Sequence, residues 1–442
     1  MSEKEKKNVS FTVENGLCCS CGVCKNACPK ACIRYERRDG MFFPVVDAEK
    51  CVKCGLCASV CPGLTAAPAT GDKLVNAMFG TILASFNAWS RDEVLRHVSA
   101  SGGVVTTLVT ELLRKGLYDA ALTLDTYSYE DQLKTRKITR EDLSDSWNQS
   151  SFPKSRYLPV SHEEAVRFIL ENPDRRVILI ASPCALRGLQ ELIRIRGLER
   201  EHYLFIGLFC DGVFNYNVYD HYQDRFGEGK QLTALHFKNK ESGGWPGNMK
   251  LFYADGSTRY LDKKERAGMK EYFMPERCLY CADKLNVCAD LSVGDNYTGM
   301  DSSPLGSNSV LIRTERGQTA WEAACDALEF RPFPASELEK AQYLPGRANR
   351  YYYGALKQTK MEKKSGSTAL CDPRLLQDDP REYERALYYD MQKVKAGARY
   401  REDPEELNKT LADNADKASG KRSNPVKSFA ERAYFAIKRR IR

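Results

Sequence analysis

Cys18-Cys-Ser-Cys21-Gly-Val-Cys24-Lys-Asn-Ala-Cys28-Pro29 recurs 33 residues later as Cys51-Val-Lys-Cys54-Gly-Leu-Cys57-Ala-Ser-Val-Cys61-Pro62. Three thiolates at two-residue steps on a tight loop can wrap one corner of an iron–sulfur cube. The fourth lies on the helix that follows and faces the other half, so it closes the other cube. The spacing thus assigns Cys18, Cys21, Cys24 and Cys61 to one 4Fe-4S cluster and Cys51, Cys54, Cys57 and Cys28 to a second. Gly22, Gly55 and Ala58 let the backbone pass close to the sulfides, and Pro29 and Pro62 turn the chain after each run. Structural zinc also uses C-x2-C steps, but as two knuckles, without a third step and a trailing x3-Cys-Pro. Cys19 and Cys32 fall outside the pattern and read as small buried side chains beside a cluster.

Ten of the 17 cysteines precede residue 62. A disulfide framework needs an oxidising compartment. Met1 to Lys7 carries charge without an apolar core, and no long apolar run follows, so the sequence predicts a cytosolic protein that spans no membrane. The net charge of +8 sits almost wholly in the last 22 residues, which hold eight Lys/Arg and one Glu. The neutral remainder argues against a nucleic-acid-binding face, which needs basic side chains spread over a surface.

The expected fold class is α+β in three parts: a ferredoxin-like two-cluster domain (1–66), an α/β domain (75–344) and a helical extension (345–442). The first part resembles a bacterial two-cluster ferredoxin, with Asp39 to Pro44 as the hairpin between the halves. Gly63 to Asp72 reads as a linker. Beyond it, helical patterns (103–113, 163–170, 184–195, 215–226) alternate with extended ones (119–124, 176–181, 203–209), implying a partly parallel sheet with helices on its faces.

Ligands in such sheets collect at the carboxyl ends of the strands. Ser99-Ala-Ser101-Gly102-Gly103 leads into a helix, and serves either as an ordinary cap and turn or as a phosphate or flavin contact. Cys184 and Cys210 each follow an apolar strand, and Cys278-x2-Cys281 precedes Cys288. Cys184, Cys210, Cys278 and Cys281 supply four thiolates for a third 4Fe-4S cluster. A zinc half-site, core cysteines, or Cys288 in place of Cys210 also fit the spacing.

With Arg96-x2-Ser-x-Ser101-Gly-Gly, Pro183-Cys184, Cys210-x-Gly212, Phe237-x2-Lys240, Gly244-Trp245, Cys278-x2-Cys281 and Asp290-x2-Val-Gly294-Asp295, the chain resembles the coenzyme F420 hydrogenase/dehydrogenase beta-subunit family over roughly residues 15 to 330, in the bacterial form found in surface-polysaccharide gene groups. The resemblance implies a third 4Fe-4S cluster on Cys184, Cys210, Cys278 and Cys281, and FAD in the α/β domain near Ser101, Gly102, Gly103, Lys240 and Asp295. Lys240 would otherwise be an exposed lysine, and Asp295 a turn cap. The implied activity is an oxidoreductase passing electrons between 4Fe-4S clusters and FAD, with hydride transfer to a small-molecule substrate and a redox partner protein or small-molecule donor supplying electrons. Use of the deazaflavin coenzyme F420, or an electron carrier with no substrate site of its own, are the competing readings. None of the five histidines lies in a hydrolytic arrangement, and no catalytic side chain is assigned.

At the C-terminus, 381–396 reads as helical and Ala412 to Ser423 as a polar linker. Val426, Phe429, Ala433, Ile437 and Ile441 share one face of a basic helix, suited to anionic headgroups at the inner membrane face or to an acidic partner.

Overall fold

The computed structural model describes residues 8–65, 73–125, 132–143, 155–365 and 370–418. The sequence repeat is also a backbone repeat. Ser20 and Lys53 are left-handed at the same φ of 53°, Gly22 and Gly55 follow at 78° and 77°, and the helices Val23–Ala27 and Leu56–Ser59 start at equivalent positions. Between the halves, β1 (Ile33–Arg38) and β2 (Met41–Val46) pair antiparallel from Ile33↔Val46 to Arg38↔Met41. Asp39 and Gly40, both at positive φ, make the two-residue turn, as Asp-Gly favours.

The next strands are β3 (Ala84–Ser90), β4 (Ala120–Leu124), β5 (Leu133–Ile138), β6 (Val160–Ser161), β7 (Val177–Ala181), β8 (Tyr203–Leu208), β9 (Leu232–Asn239), β10 (Asn248–Tyr253), β11 (Thr258–Leu261), β12 (Leu291–Asp295), β13 (Asn308–Ile312) and β14 (Leu328–Pro332). The main sheet runs β14-β3-β13-β12-β8-β7-β4-β5-β6, with β12, β8, β7 and β4 mutually parallel and β13, β3, β14 and β5 antiparallel to their inner neighbours. All five residues of β7 are buried because helices cover both faces, which is why that strand reads as an unbroken apolar run. Ile178 and Ile180 pack with the helix Val104–Arg114 and Trp321. Val177 and Leu179 pack oppositely, with the helices Glu163–Glu171 and Pro183–Ile195. A smaller antiparallel sheet, β9-β10-β11, packs its own Phe237 against Phe214, Tyr219 and Phe273.

The ferredoxin-like module is packed on the body. The His162 N–H donates to the Cys21 carbonyl (2.8 Å), the Asn26 amide to the Glu163 carbonyl (2.7 Å), and Lys25 pairs with Glu163 at 2.6 Å. On the helix Pro183–Ile195, a Cβ at Gly188 would stand 3.3 Å from Pro62 and Val23, so the missing side chain sets how closely helix and module approach. Part of the expected linker, 66–72, lies outside the described residues.

The helix Leu344–Ser365 begins where the sequence places a helical extension, and it reaches back into the body with Arg347 and Arg350. The expected polar linker from Ala412 is corrected in part. The helix Pro404–Ala418 runs through its first residues, started by Asp403, which accepts from the Glu406 N–H at 3.2 Å. The basic amphipathic tail lies outside the described residues. Among the described residues no helix is long and apolar enough to cross a membrane.

Candidate functional site

Tight left-handed loops turn the module's thiols inward. Cys18, Cys21, Cys24 and Cys61 face one another. Burial, with Cys61 next to it, pushes the Cys18 thiol up to about 12. Donors point at these sulfurs: the Ser20 N–H to Cys18 at 3.4 Å, with Tyr35 Oη 3.3 Å from Cys24 and Thr12 Oγ1 3.5 Å from Cys61. Hydrogen bonds to sulfur are a principal control on the potential of a cube. Cys28, Cys51, Cys54 and Cys57 line a cavity with Asn8, Ile33 and Val46, and Cys54 is exposed at its mouth. Among the described residues no three His, Cys, Asp or Glu side chains stand close enough to share a single ion.

The body thiols come from three segments. Cys184 follows β7, Cys210 follows β8, Cys278 lies within the helical turn Glu276–Tyr280 and Cys281 directly follows it. Cys184 faces Cys281, and Cys210 faces Cys278 and Cys184. Cys288 stands apart, buried against Asp283, Arg187 and Arg313. Cys19 contacts both Cys184 and Cys21, and Cys18 also faces Cys184, so the module's first thiol group abuts the body group.

Sequence reasoning missed the arginines. Arg187, Arg277 and Arg347 are 4–5% exposed, and the Nε of each is buried with no hydrogen-bond partner. Arg187 and Arg347 face the body thiols, whereas Arg277 faces Cys61 and donates to the Pro62 carbonyl. Arg347 also donates to the Cys210 carbonyl (3.1 Å) and Arg350 to that of Cys278 (3.0 Å). Arg347 is already paired with Asp211 at 3.2 Å, whereas Arg187 and Arg277 form no ion pair among the described residues. A buried guanidinium favours an anion beside it, and neutral thiols are none. Four thiolates around a cube carry a net charge of about −2, so the donor set fits a 4Fe-4S cluster.

The predicted flavin residues converge at the carboxyl end of β12. Gly103, left-handed at φ 83°, starts the helix Val104–Arg114, and Gly102 lies so near Ala88 and Asn308 that a Cβ would sit 2.8 Å from an oxygen of each. Lys240 is buried rather than exposed. Its ammonium donates to the carbonyls of Ser101 (2.9 Å), Leu305 (2.6 Å) and Arg96, clamping the Ser-Gly-Gly loop. The cation beside Asp295 is Lys238, two residues earlier on β9. Burial would discharge Lys238, but Asp295 and Tyr157 beside it hold its pKa above the ordinary lysine value. Trp245 Nε1 and Tyr297 Oη each lie 3.4 Å from Asp295, with their rings 5.2 Å apart and Tyr297 open to solvent. The Asp295 carbonyl accepts from Gln342 (2.9 Å), whose own carbonyl accepts from Lys284, which pairs with Asp211 (3.3 Å) next to Cys210. One polar chain thus links this site to the thiols.

The C-terminal model of the coenzyme F420 hydrogenase/dehydrogenase beta subunit matches residues 174–336, its N-terminal model 85–161, and a 4Fe-4S binding domain 43–68. The chain belongs to the coenzyme F420 hydrogenase/dehydrogenase beta-subunit family. Within this beta-subunit family it is an iron–sulfur subunit of oxidoreductase type. It is 23% identical over 333 residues to a subunit of the F(420)H(2) dehydrogenase of Methanosarcina mazei, covering 75% of this chain and 89% of that one. It is 24% identical over 322 residues to the coenzyme F420-dependent sulfite reductase of Methanocaldococcus jannaschii, covering 69% of this chain and 46% of the relative. A chain of the F420-reducing NiFe hydrogenase complex from Methanosarcina barkeri superposes with a TM-score of 0.49 at 17% identity, covering 68% of this chain and 98% of that one.

Proposed function

We propose that this protein is an iron–sulfur flavoprotein oxidoreductase that passes single electrons through three 4Fe-4S clusters to FAD and exchanges hydride with a small-molecule substrate. Cubes supply one-electron steps, and a flavin converts them to two-electron chemistry. The observation that carries the reading is the set of buried, incompletely bonded arginines around Cys184, Cys210, Cys278, Cys281 and Cys61, an anion site built from cations and thiols. The order of the thiol groups supports a path. Exposed Cys54 marks the outer site, the group with Cys18 lies inside it, and Cys18 and Cys19 hand over to Cys184.

In the body, Lys238, kept charged by Asp295, would stabilise a reduced anionic ring, Trp245 and Tyr297 would provide a flat aromatic wall, and the loop at Ser101, Gly102 and Gly103 would meet the cofactor's phosphates. Lys240 holds that loop in place. A redox partner, protein or small molecule, would deliver electrons near Cys54. The basic tail would rest on anionic lipid at the inner face of the membrane of a cytoplasmic location.

The test is anaerobic. Protein reduced by a viologen dye is mixed with oxidised coenzyme F420, which accepts only hydride. Bleaching of the deazaflavin with reoxidation of bound flavin supports the proposal. Bound flavin reoxidised only by one-electron acceptors leaves the hydride acceptor to be a different small molecule, and absence of flavin at full iron content favours the electron carrier.

A further inference from the structure

The second thiol site has five sulfurs, not four. Ala31 is left-handed at φ 47° and its N–H donates to the Cys28 carbonyl (3.3 Å), which turns the chain back after Pro29. That turn brings Cys32 Sγ to 3.3 Å from Cys28 Sγ. Cys32 is 6% exposed and lines the same cavity as Cys28, Cys51, Cys54 and Cys57. Its neighbours also include Cys51. In the other half the repeat places Thr65 at the equivalent position, whose buried hydroxyl has no partner, so a thiol beside the fourth cysteine of the run occurs in the first half alone.

We propose that Cys32 is an exchangeable ligand of the second cube, able to take the iron corner held by Cys28. The inference rests on the assignment of that cube. In the exchange an Fe–S bond to Cys32 forms as the one to Cys28 breaks. The Cys32 proton passes to Cys28, so a thiolate replaces a thiolate and no electron moves. The contact between the two sulfurs makes the swap a side-chain rotation, and it is Cys28, rather than Cys57, whose sulfur Cys32 touches.

The test uses the full chain purified without oxygen, in four forms: wild type, Cys28→Ala, Cys57→Ala, and Cys28→Ala with Cys32→Ala. Iron and sulfide per chain are counted, and the reduced proteins are compared by electron paramagnetic resonance. Cys28→Ala is expected to keep the wild-type iron content with an altered signal from one cluster. Cys57→Ala and the double variant are expected to lose between one iron and the about four of a whole cube. Depletion of Cys28→Ala to the level of Cys57→Ala overturns the inference, and so does a double variant that stays fully loaded. Cys28→Val, close in size and without a donor atom for iron, carries the same comparison if the alanine variant fails to fold. Wild type without iron would instead refute the cluster assignment itself.

Discussion

Single residues set the charge of both sites. Arg347 is buried beside the body thiols, and its guanidinium would favour the more negative, reduced state of the cluster proposed there. Arg347→Met is therefore expected to lower the midpoint potential of one cluster by tens of mV, on the order that net charge and hydrogen bonding tune such centres. A redox titration followed by paramagnetic resonance reads this directly, and unchanged midpoints for all clusters would remove the arginine from the account. Lys238 and Asp295 make a buried ion pair, with side chains 3% and 19% exposed. Removing one partner strands the other charge, at a cost of about 3–5 kcal/mol. Lys238→Met and Asp295→Asn should each lower the urea midpoint strongly, and the double variant should lose less than their sum. The sequence alone points to Lys240 instead. Both lysines lie on the same side of an extended segment, and only the three-dimensional position of Asp295 separates them.

At the scale of elements, local pattern and tertiary contact divide the credit. The run Val177–Ala181 followed by Ser182-Pro183 is legible as a buried strand feeding a helix, because an apolar run and a proline at the first helical turn are local signals. The Asp39-Gly40 hairpin is legible for the same reason. The small sheet β9-β10-β11 is absent from the sequence reading, although Asn248–Tyr253 alternates buried and half-buried residues. Arg187, Arg277 and Arg347 look like ordinary surface arginines in sequence. Their burial depends on thiols up to hundreds of residues away, which no local pattern encodes.

The helix Asn217–Phe226 carries a testable burden. His221 is packed against Tyr222, Phe273 and Tyr400, and its Nε2 is buried without a partner. Burial, then Arg225, lowers its pKa to about 4, and burial alone lowers that of His162 to about 4. Below the unfolded value of about 6.5 the unfolded chain takes up protons that the fold refuses, so stability falls as pH drops from about 6.5 to about 4. Each histidine accounts for up to about 3 kcal/mol across that window. His221→Phe should lose less thermal stability than wild type between pH 7 and pH 5. Equal losses would place the acid sensitivity elsewhere.

Across the whole molecule, the module, the body sheet and the helix Leu344–Ser365 converge on one buried seam. The module brings Cys18 and Cys19, the strand ends bring Cys184 and Cys210, and the helix brings Arg347 and Arg350. The residues treated in sequence as an extension after 344 therefore complete the body's thiol site. The seam shows how a ferredoxin-like module could feed the body thiols. The most direct measurement is the content of iron, acid-labile sulfide and flavin in protein purified without oxygen. Three cubes and one flavin predict about twelve iron, about twelve sulfide and about one FAD per chain. A colourless protein, or one whose iron does not exceed about eight, contradicts the cluster that the buried arginines are taken to surround.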